Sequence, residues 1–360
     1  MRSGAAASNA AAAASAAAPS EGRGSWRGGG ARPAYNGSVA ETENNAEFRS
    51  GFVTLLGRPN TGKSTLMNAL VGRKLAAVTP HPQTTRTHLL GVLNAAAEAD
   101  HGAGQIVFVD TPGVHRGRGH LSREMLRSIR AGLEGRDLSL FLADVSRPFG
   151  AEDQMALDLL RLPGGSGERQ TPTPAFLLLN KVDLLPNPEA ALPIIAAYQE
   201  RYPFAAAIPI SALRGLNLKT LVREILTQLP PGPVYFPEDQ STDQPEHFLI
   251  SEVIREQAML LTHEEVPHTL AVRIEGDRTR QSSGKPLRVL QAAIYCERPG
   301  QKAILIGRGG EMIRRIGTEA RLALEAVLAT HIFLELHVLV RAEWRQNPRF
   351  VAALDYRNSA

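Results

Sequence analysis

The sequence predicts an α/β protein in two parts: a mostly parallel sheet with helices on both faces, followed by a smaller α+β domain. Three observations predict it. Short apolar runs alternate with amphipathic stretches from Phe48 to Gln228. A Leu229-Pro230-Pro231-Gly232-Pro233 run then breaks the series. Beyond it the order changes to helix, strand, strand, helix, helix, strand. A chain of 360 residues is long enough for two separate cores.

The elements follow in order. Strands are expected at Phe52–Leu56, Gln105–Asp110, Leu138–Asp144, Ala175–Asn180 and Ala207–Ser211, with a weaker one at His88–Asn94. These runs are apolar throughout rather than alternating, as strands covered on both faces require. Helices are expected at Ser64–Leu70, His120–Gly132, Ala151–Leu160, Leu192–Arg201 and Leu218–Gln228. In the second part, helices are expected at Phe248–Thr262, Gln301–Ile306 and Glu311–Ala329. Strands are expected at His268–Glu275, Pro286–Cys296 and Ile332–Arg341. The boundaries are 1–47 for an N-terminal extension, 48–230 for the first domain, 231–246 for a linker and 247–360 for the second domain. The loop Asn94–Gly104 is alanine-rich and long, which leaves the connection on the switch side open.

Residues 1–47 are dominated by Ala, Ser, Gly and Arg, a composition that cannot bury enough apolar surface to offset chain entropy. They are expected to be disordered. A low-complexity extension and an organellar transit peptide both fit; the Ala10–Ala18 stretch carries no arginine on any helical face, which favours the extension. The single cysteine, Cys296, excludes an internal disulfide and a zinc cluster, and its apolar neighbours suit a buried thiol. No apolar run approaches the length of a membrane span. A net charge of +4 is mild, so any nucleic-acid surface must be local.

The chemistry begins at Gly57-Arg58-Pro59-Asn60-Thr61-Gly62-Lys63-Ser64, a G-x-x-x-x-G-K-S phosphate loop between a predicted strand and a predicted helix. Backbone N–H groups of such a turn face an anion, and the helix N-terminus adds positive charge. Lys63 reaches the β- and γ-phosphates and Ser64 ligates Mg²⁺, with Gly57, Thr61, Gly62 and Thr65 completing the cradle. Asp110-Thr111-Pro112-Gly113 ends an apolar strand, where Asp110 holds Mg²⁺ through water and Gly113 offers its N–H to the γ-phosphate. In Gln83-Thr84-Thr85-Arg86, a threonine completes the metal shell; Thr85 is the first choice and Thr84 the second. Asn180-Lys181-Val182-Asp183 at a strand end reads guanine: the Asp183 carboxylate accepts two parallel donors that adenine lacks. Asn180 braces the base, Lys181 covers one ring face, and the backbone of Ser211-Ala212-Leu213 meets the 6-oxo group. GTP and GDP are the expected nucleotides. An ATPase is the weaker alternative, which Asn180 and Asp183 oppose.

Gly57-Arg58-Pro59-Asn60 and Asp110-Thr111-Pro112-Gly113-Val114 resemble the hydrophobic-substituted GTPases. Val114 stands where many small GTPases carry a water-orienting glutamine, so slow intrinsic turnover is expected. Asparagine at position 60 in similar proteins coordinates K⁺ near the phosphates; shaping the turn is its alternative role. Lys63, Thr85 and Asn60 are thus the candidate catalytic residues.

In the second part, Ile306-Gly307-Arg308-Gly309-Gly310 is an I-G-x-x-G loop between helices, which lets backbone approach a sugar–phosphate chain closely. Around it, Arg298, Lys302, Arg308, Arg314, Arg315 and Arg321 outnumber Glu311 and Glu319, the local basic footprint expected for single-stranded RNA. Element order and loop match a type II KH fold. A GTPase domain followed by one such KH domain resembles the Era family of ribosome-assembly GTPases, and so do Tyr235-Phe236-Pro237-Glu238-Asp239-Gln240, Glu252-Val253-Ile254-Arg255-Glu256, Glu264-Glu265-Val266-Pro267-His268 and Gln301-Lys302-Ala303-Ile304-Leu305-Ile306-Gly307. The resemblance covers about residues 50 to 356. It implies GTP hydrolysis coupled to binding of the 3′ end of small-subunit (16S-type) rRNA and assistance to 30S subunit assembly. It places Ile306, Gly307, Arg308, Gly309 and Gly310 on RNA backbone and Lys302, Arg314 and Arg315 on phosphates. A bacterial cytoplasmic monomer is expected, with peripheral contact at the inner membrane left open; a transit peptide would instead mean a chloroplast or mitochondrion. The competing reading is a GTPase signalling switch whose second domain serves a protein partner.

Overall fold

The computed structural model describes residues 48–81, 84–98, 101–114, 120–162, 173–282 and 285–354. The 1–47 extension, whether disordered tail or transit peptide, lies outside the described residues, as does Gln83.

The first domain opens with β1 (Arg49–Leu56), buried after its first residue. The glycine loop follows and feeds α1 (Lys63–Val71), which stops where Gly72 turns left-handed at φ 72°. Then come β2 (Leu89–Ala95), β3 (Gly104–Asp110), α2 (His120–Leu133), β4 (Leu138–Asp144) and α3 (Ala151–Leu160). β5 (Ala175–Asn180), α4 (Leu192–Gln199), β6 (Ala206–Ile210) and α5 (Leu218–Gln228) complete it. The sheet order is β2-β3-β1-β4-β5-β6. Only β2 runs antiparallel to its neighbour. Two cores result, one on each face. Leu66, Met67, Leu221 and Ile225 pack on one side, and Ile129, Leu157, Leu160 and Tyr198 on the other. The carboxyl ends of β1, β3, β5 and β6 deliver the glycine loop, Asp110, Asn180 and Ser211 to a single rim, where open α/β sheets bind ligands.

The long loop after Asn94 proves unrelated to that rim. Ala95 pairs with Gly104 and Leu89 with Asp110, so the connection closes a β2–β3 hairpin at the opposite end of the sheet. The long loop therefore leaves the switch side untouched.

The stretch 231–246 is not a loose tether. Tyr235 and Phe236 are buried with Phe52, Leu90 and Val107 on the edge of the first domain. Gln105 Oε1 accepts from the N–H groups of Tyr235 and Phe236 at 2.8 and 3.0 Å. Ser241 O accepts from Val92 N, and Thr242 Oγ1 donates to Leu90 O at 2.7 Å. The two buried aromatics and these hydrogen bonds tie the segment to the first domain.

The second domain comprises α6 (Glu246–Leu260), α7 (Val266–Thr269), β7 (Ala271–Ser282), β8 (Lys285–Cys296), α8 (Pro299–Ile306), α9 (Glu311–Leu328), β9 (Ile332–Val340) and α10 (Pro348–Ala352). β7 and β8 pair antiparallel, and β8 and β9 parallel. α6 and α9 cover one face of this sheet through Ile250, Ile254, Ile316, Ala320 and Leu324. With α7 as a short addition, this is the type II KH order. The strand expected from His268 begins instead at Ala271, because Val266-Pro267 starts a helical turn where a proline lacks nothing by having no N–H. The C-terminal segment carries contacts that periodicity does not reveal. Trp344 and Phe350 pack on Ala271, Ala293 and Tyr295, covering part of the other sheet face and touching Leu121 of α2. Cys296 is a buried free thiol, pushed up from its ordinary pKa by burial.

Candidate functional site

The glycine loop has the backbone that an anion cradle needs. Gly62 sits at φ 95°, and a Cβ there would meet Asn180 Nδ2 at 2.4 Å. Lys63 folds back over the loop, donating to Gly57 O at 3.0 Å and Arg58 O at 2.9 Å. Burial pushes its ammonium down to about 8, against the pull of Asp110 and Glu152. Arg58 turns inward and pairs with the buried Asp153 of α3 at 2.9 Å, tying the loop to its supporting helix.

Three of the residues picked from sequence converge. Ser64 Oγ lies 2.7 Å from Asp110 Oδ2 and 2.8 Å from Thr85 Oγ1, and Thr85 Oγ1 donates to Asp110 Oδ2 at 3.3 Å. Asp110 is fully buried, its Oδ1 has no hydrogen-bond partner, and burial raises its pKa. Two hydroxyls and one carboxylate with spare acceptor capacity form an oxygen set suited to a hard divalent cation such as Mg²⁺. Thr84 Oγ1 lies outside this cluster, donating to His81 O at 2.8 Å. Asn60, at φ 63°, donates to Pro80 O at 2.6 Å, which ties the loop to the segment after α1.

Gly113 is fixed by close approach, since a Cβ there would lie 2.6 Å from Pro59 Cα. Val114 N donates to Gly57 O at 3.1 Å, and its side chain packs with Leu56, Ile129 and Phe141. It presents no polar group to water.

At the base-recognition end, Asn180 does more than the sequence suggested. Its Nδ2 donates to Thr61 O at 2.7 Å, and its Oδ1 accepts from Ala212 N at 3.0 Å. One buried amide thus locks the phosphate loop to the Ser211-Ala212-Leu213 segment. Lys181, at φ 68°, pairs with Asp144 at 2.6 Å, which fixes its stem. Asp183 is exposed, and Leu213 is 76% exposed.

In the KH domain, the glycine loop lies at the surface. Gly307, Gly309 and Gly310 all have positive φ, and Gly309 and Arg308 are exposed. Only glycine suits Gly307, where a Cβ would come within 2.8 Å of Met312 N. Arg314 and Arg315 project from the first turn of α9, and Lys302 lies on α8. Arg314 Nη2 lies 3.4 Å from Gly309 O, over the loop. The α9 N-terminus, the loop N–H groups and these cations share one surface beside Ile304, which is 49% exposed.

Sequence reasoning gave no role to the groups that join the two domains. Arg255 Nη2 donates to Thr84 O at 2.5 Å, and Arg86 Nη1 donates to Leu270 O at 2.7 Å. The only signal was apolar periodicity in α6 interrupted by Arg255 and Glu256, both 3% exposed. Charges on the buried face of a helix need partners: Glu252 of the same helix pairs with Arg255, and Lys74 of the other domain with Glu256.

With the geometry in hand, comparison places the chain among known proteins. Residues 52–181 match the family described as 50S ribosome-binding GTPase, and residues 265–345 match the KH domain family. GTPase Era of Geobacter metallireducens is 41% identical over 309 residues, 86% of this chain and 98% of that one. GTPase Era of Staphylococcus haemolyticus is 39% identical over 310 residues, again 86% of this chain and 98% of that one. A crystal structure of Era in complex with MgGDPNP and nucleotides 1506-1542 of 16S ribosomal RNA superposes with TM-score 0.79 at 35% identity, covering 86% of this chain and 99% of that one. A tyrosine-to-alanine variant of Aquifex aeolicus Era bound to GDP.AlF4- gives 0.77, also at 35% identity and with the same coverage.

Proposed function

We propose that this chain, which belongs to the Era family of GTPases, holds the 3′ end of small-subunit rRNA in its KH domain and assists assembly of the 30S subunit. It hydrolyses GTP to GDP and phosphate. The observation that carries the RNA reading is the exposed Gly307–Gly310 loop flanked by Arg308, Arg314 and Arg315, on the same chain as a guanine-nucleotide rim. A relative with this architecture holds that stretch of 16S rRNA together with a GTP analogue.

The chain's own residues divide the work. Asp183 selects guanine, and Asn180 keeps the base-side segment and the phosphate loop in fixed relation. Lys63 and the loop N–H groups hold the phosphates. Ser64, Asp110 and Thr85 would hold Mg²⁺, which when bound neutralises charge developing on the phosphates. Because Val114 cannot orient water, turnover by the chain alone is slow. We assign Asn60 to a K⁺ ion beside the phosphates; equal hydrolysis rates in K⁺ and Na⁺ would remove that assignment. GTP bound at Thr85 sets the orientation of the KH domain, and linkage requires that RNA strengthen GTP binding by the factor by which GTP strengthens RNA binding.

The test is a binding titration of a labelled RNA carrying the 16S 3′ end, with the protein in GTP-analogue and GDP states. Tight, salt-dependent binding favouring the GTP-analogue state is expected. Affinity no better than for an unrelated single strand would overturn the rRNA reading and favour a switch serving a protein partner. Bacterial relatives support a cytoplasmic location, and the oligomeric state proposed is a monomer; among the described residues no helix is long and apolar enough to cross a membrane. Sedimentation and fractionation of cells test both, and the mature N-terminus decides whether residues 1–47 are a transit peptide.

A further inference from the structure

We propose that the Glu252–Glu256 stretch of α6 is a clamp by which the KH domain positions Thr85 for GTP hydrolysis, with Arg255 and Glu256 as positioning residues. This rests on the reading of Thr85 as a metal ligand, given above.

The connection between α1 and β2 is pinned along its length by the other domain. Near its start, Glu256 accepts an ion pair from Lys74 and a hydrogen bond from Val78 N at 2.9 Å. Near its end, Arg255 Nη2 holds Thr84 O, and Arg86 reaches out to Leu270 O with its guanidinium 5.2 Å from the Trp344 ring. Trp344 is itself fixed, donating Nε1–H to Thr269 O at 2.8 Å. Thr85 therefore has both chain neighbours tied to the KH domain, while its own hydroxyl joins Ser64 and Asp110. With the carbonyl before it and the side chain after it anchored, Thr85 has less freedom, and its hydroxyl is held near Ser64 and Asp110.

The anchors are built rather than incidental. Arg255 is 3% exposed; its Nε donates to Glu252 at 2.7 Å and its Nη1 to Met259 Sδ at 3.1 Å. Glu252 neutralises it, which leaves the guanidinium able to hold one carbonyl. Beside the clamp lies a cavity of about 520 Å³ bordered by Thr85, Arg86, Arg127, Glu252, Arg255 and Val351. The two domains are thus not packed continuously there. Position passes between them through discrete polar contacts, beside apolar ones at Leu121 and where Phe248 of α6 joins the first-domain core. Discrete contacts of this kind can be broken singly.

The experiment is single-turnover GTP hydrolysis, without RNA, by the full chain and its Arg255→Lys, Arg255→Ala, Thr85→Ala and Thr85→Ala/Arg255→Ala variants, with GDP affinity and thermal unfolding measured in parallel. Arg255→Ala is expected to hydrolyse roughly tenfold more slowly, a factor worth one decade of barrier, with GDP affinity unchanged within about twofold because GDP does not depend on Thr85. Arg255→Lys keeps the stem and the pairing with Glu252, and gives a smaller loss in the same direction; it answers the question if the alanine variant does not fold. The double variant is expected to be no slower than Thr85→Ala, since Arg255 acts through Thr85. Wild-type rates in a folded Arg255 variant, or losses that multiply, overturn the clamp. A wild-type rate for Thr85→Ala overturns the metal-ligand reading beneath it, and RNA affinity, measured separately, is left standing in either case.

Discussion

Ser64 Oγ and Thr85 Oγ1 lie 2.8 Å apart although 21 residues separate them, and both rest on Asp110 Oδ2. The two hydroxyls come from different structural regimes. Ser64 is in the first turn of α1 and stays put; Thr85 is in a loop whose position depends on its anchors. Their roles should therefore separate. Ser64→Ala is expected to weaken Mg²⁺-dependent binding of both GTP and GDP. Thr85→Ala is expected to slow hydrolysis by roughly tenfold or more, about 1.4 kcal/mol, and to leave GDP binding within about twofold. Stopped-flow binding of fluorescent nucleotides with and without chelator, beside hydrolysis rates, checks both.

Asp183 is exposed at the rim, two residues beyond Lys181, whose stem is fixed by Asp144. Asp183→Asn replaces two acceptors by one acceptor and one donor. Losing a charge-assisted pair costs about 1.5–3 kcal/mol. The expected result is a loss of GTP affinity of roughly ten- to a hundredfold and a gain for XTP, read in a nucleotide competition assay.

Lys63 gives a pH signature. Burial holds its ammonium at about 8 in the nucleotide-free protein, below its ordinary 10.5. Between those values the unfolded chain binds more protons than the folded one, so this group's contribution to stability rises with pH through that window. A phosphate beside Lys63 favours the charged form. Binding should therefore take up a proton above pH 8, and GDP affinity should fall as pH rises further. Calorimetry at two pH values in buffers of different ionisation heat measures that uptake; far less is expected at about pH 6.5, where Lys63 is already protonated.

On the KH surface, Arg314 and Arg315 are cations at a helix N-terminus. Replacing either with alanine should weaken RNA binding uniformly and reduce the magnitude of the salt slope by about 1. Gly309→Asp should weaken binding further. It faces open space, but at φ 59° a side chain is strained, and it adds an anion where a phosphate approaches. GTP hydrolysis without RNA should remain basal in all three, since none touches the nucleotide rim.

Much of this was legible in the residues because the informative patterns are local. Gly57–Ser64 lies between an apolar strand and a helix, and Asp110, Asn180 and Ser211 each end a run of apolar residues. Strand ends of a parallel sheet gather on one rim by topology, so order along the chain was enough to assemble the nucleotide site. What stayed hidden depends on distant pairs. Asn180 and Thr61 are 119 residues apart, and Arg255 and Thr84 are 171 apart. No periodicity encodes such a partner. The Asn94–Gly104 loop stayed open for the converse reason: its length was visible, but the end of the sheet it occupies follows from antiparallel register. Trp344 and Phe350 were passed over because a short helix carries too few turns for a stripe to show.

Gln105 fastens the segment between the domains to β3, with Oε1 taking two N–H groups and Nε2 donating to Phe236 O at 2.8 Å as well as to Asn94 Oδ1 at 2.7 Å. Thr242 is fastened to Leu90 as well, and the buried Gln244 donates its N–H to Thr242 Oγ1. The KH domain is consequently strapped to its neighbour rather than strung from it. A protease offered the intact chain should cut slowly between the two halves.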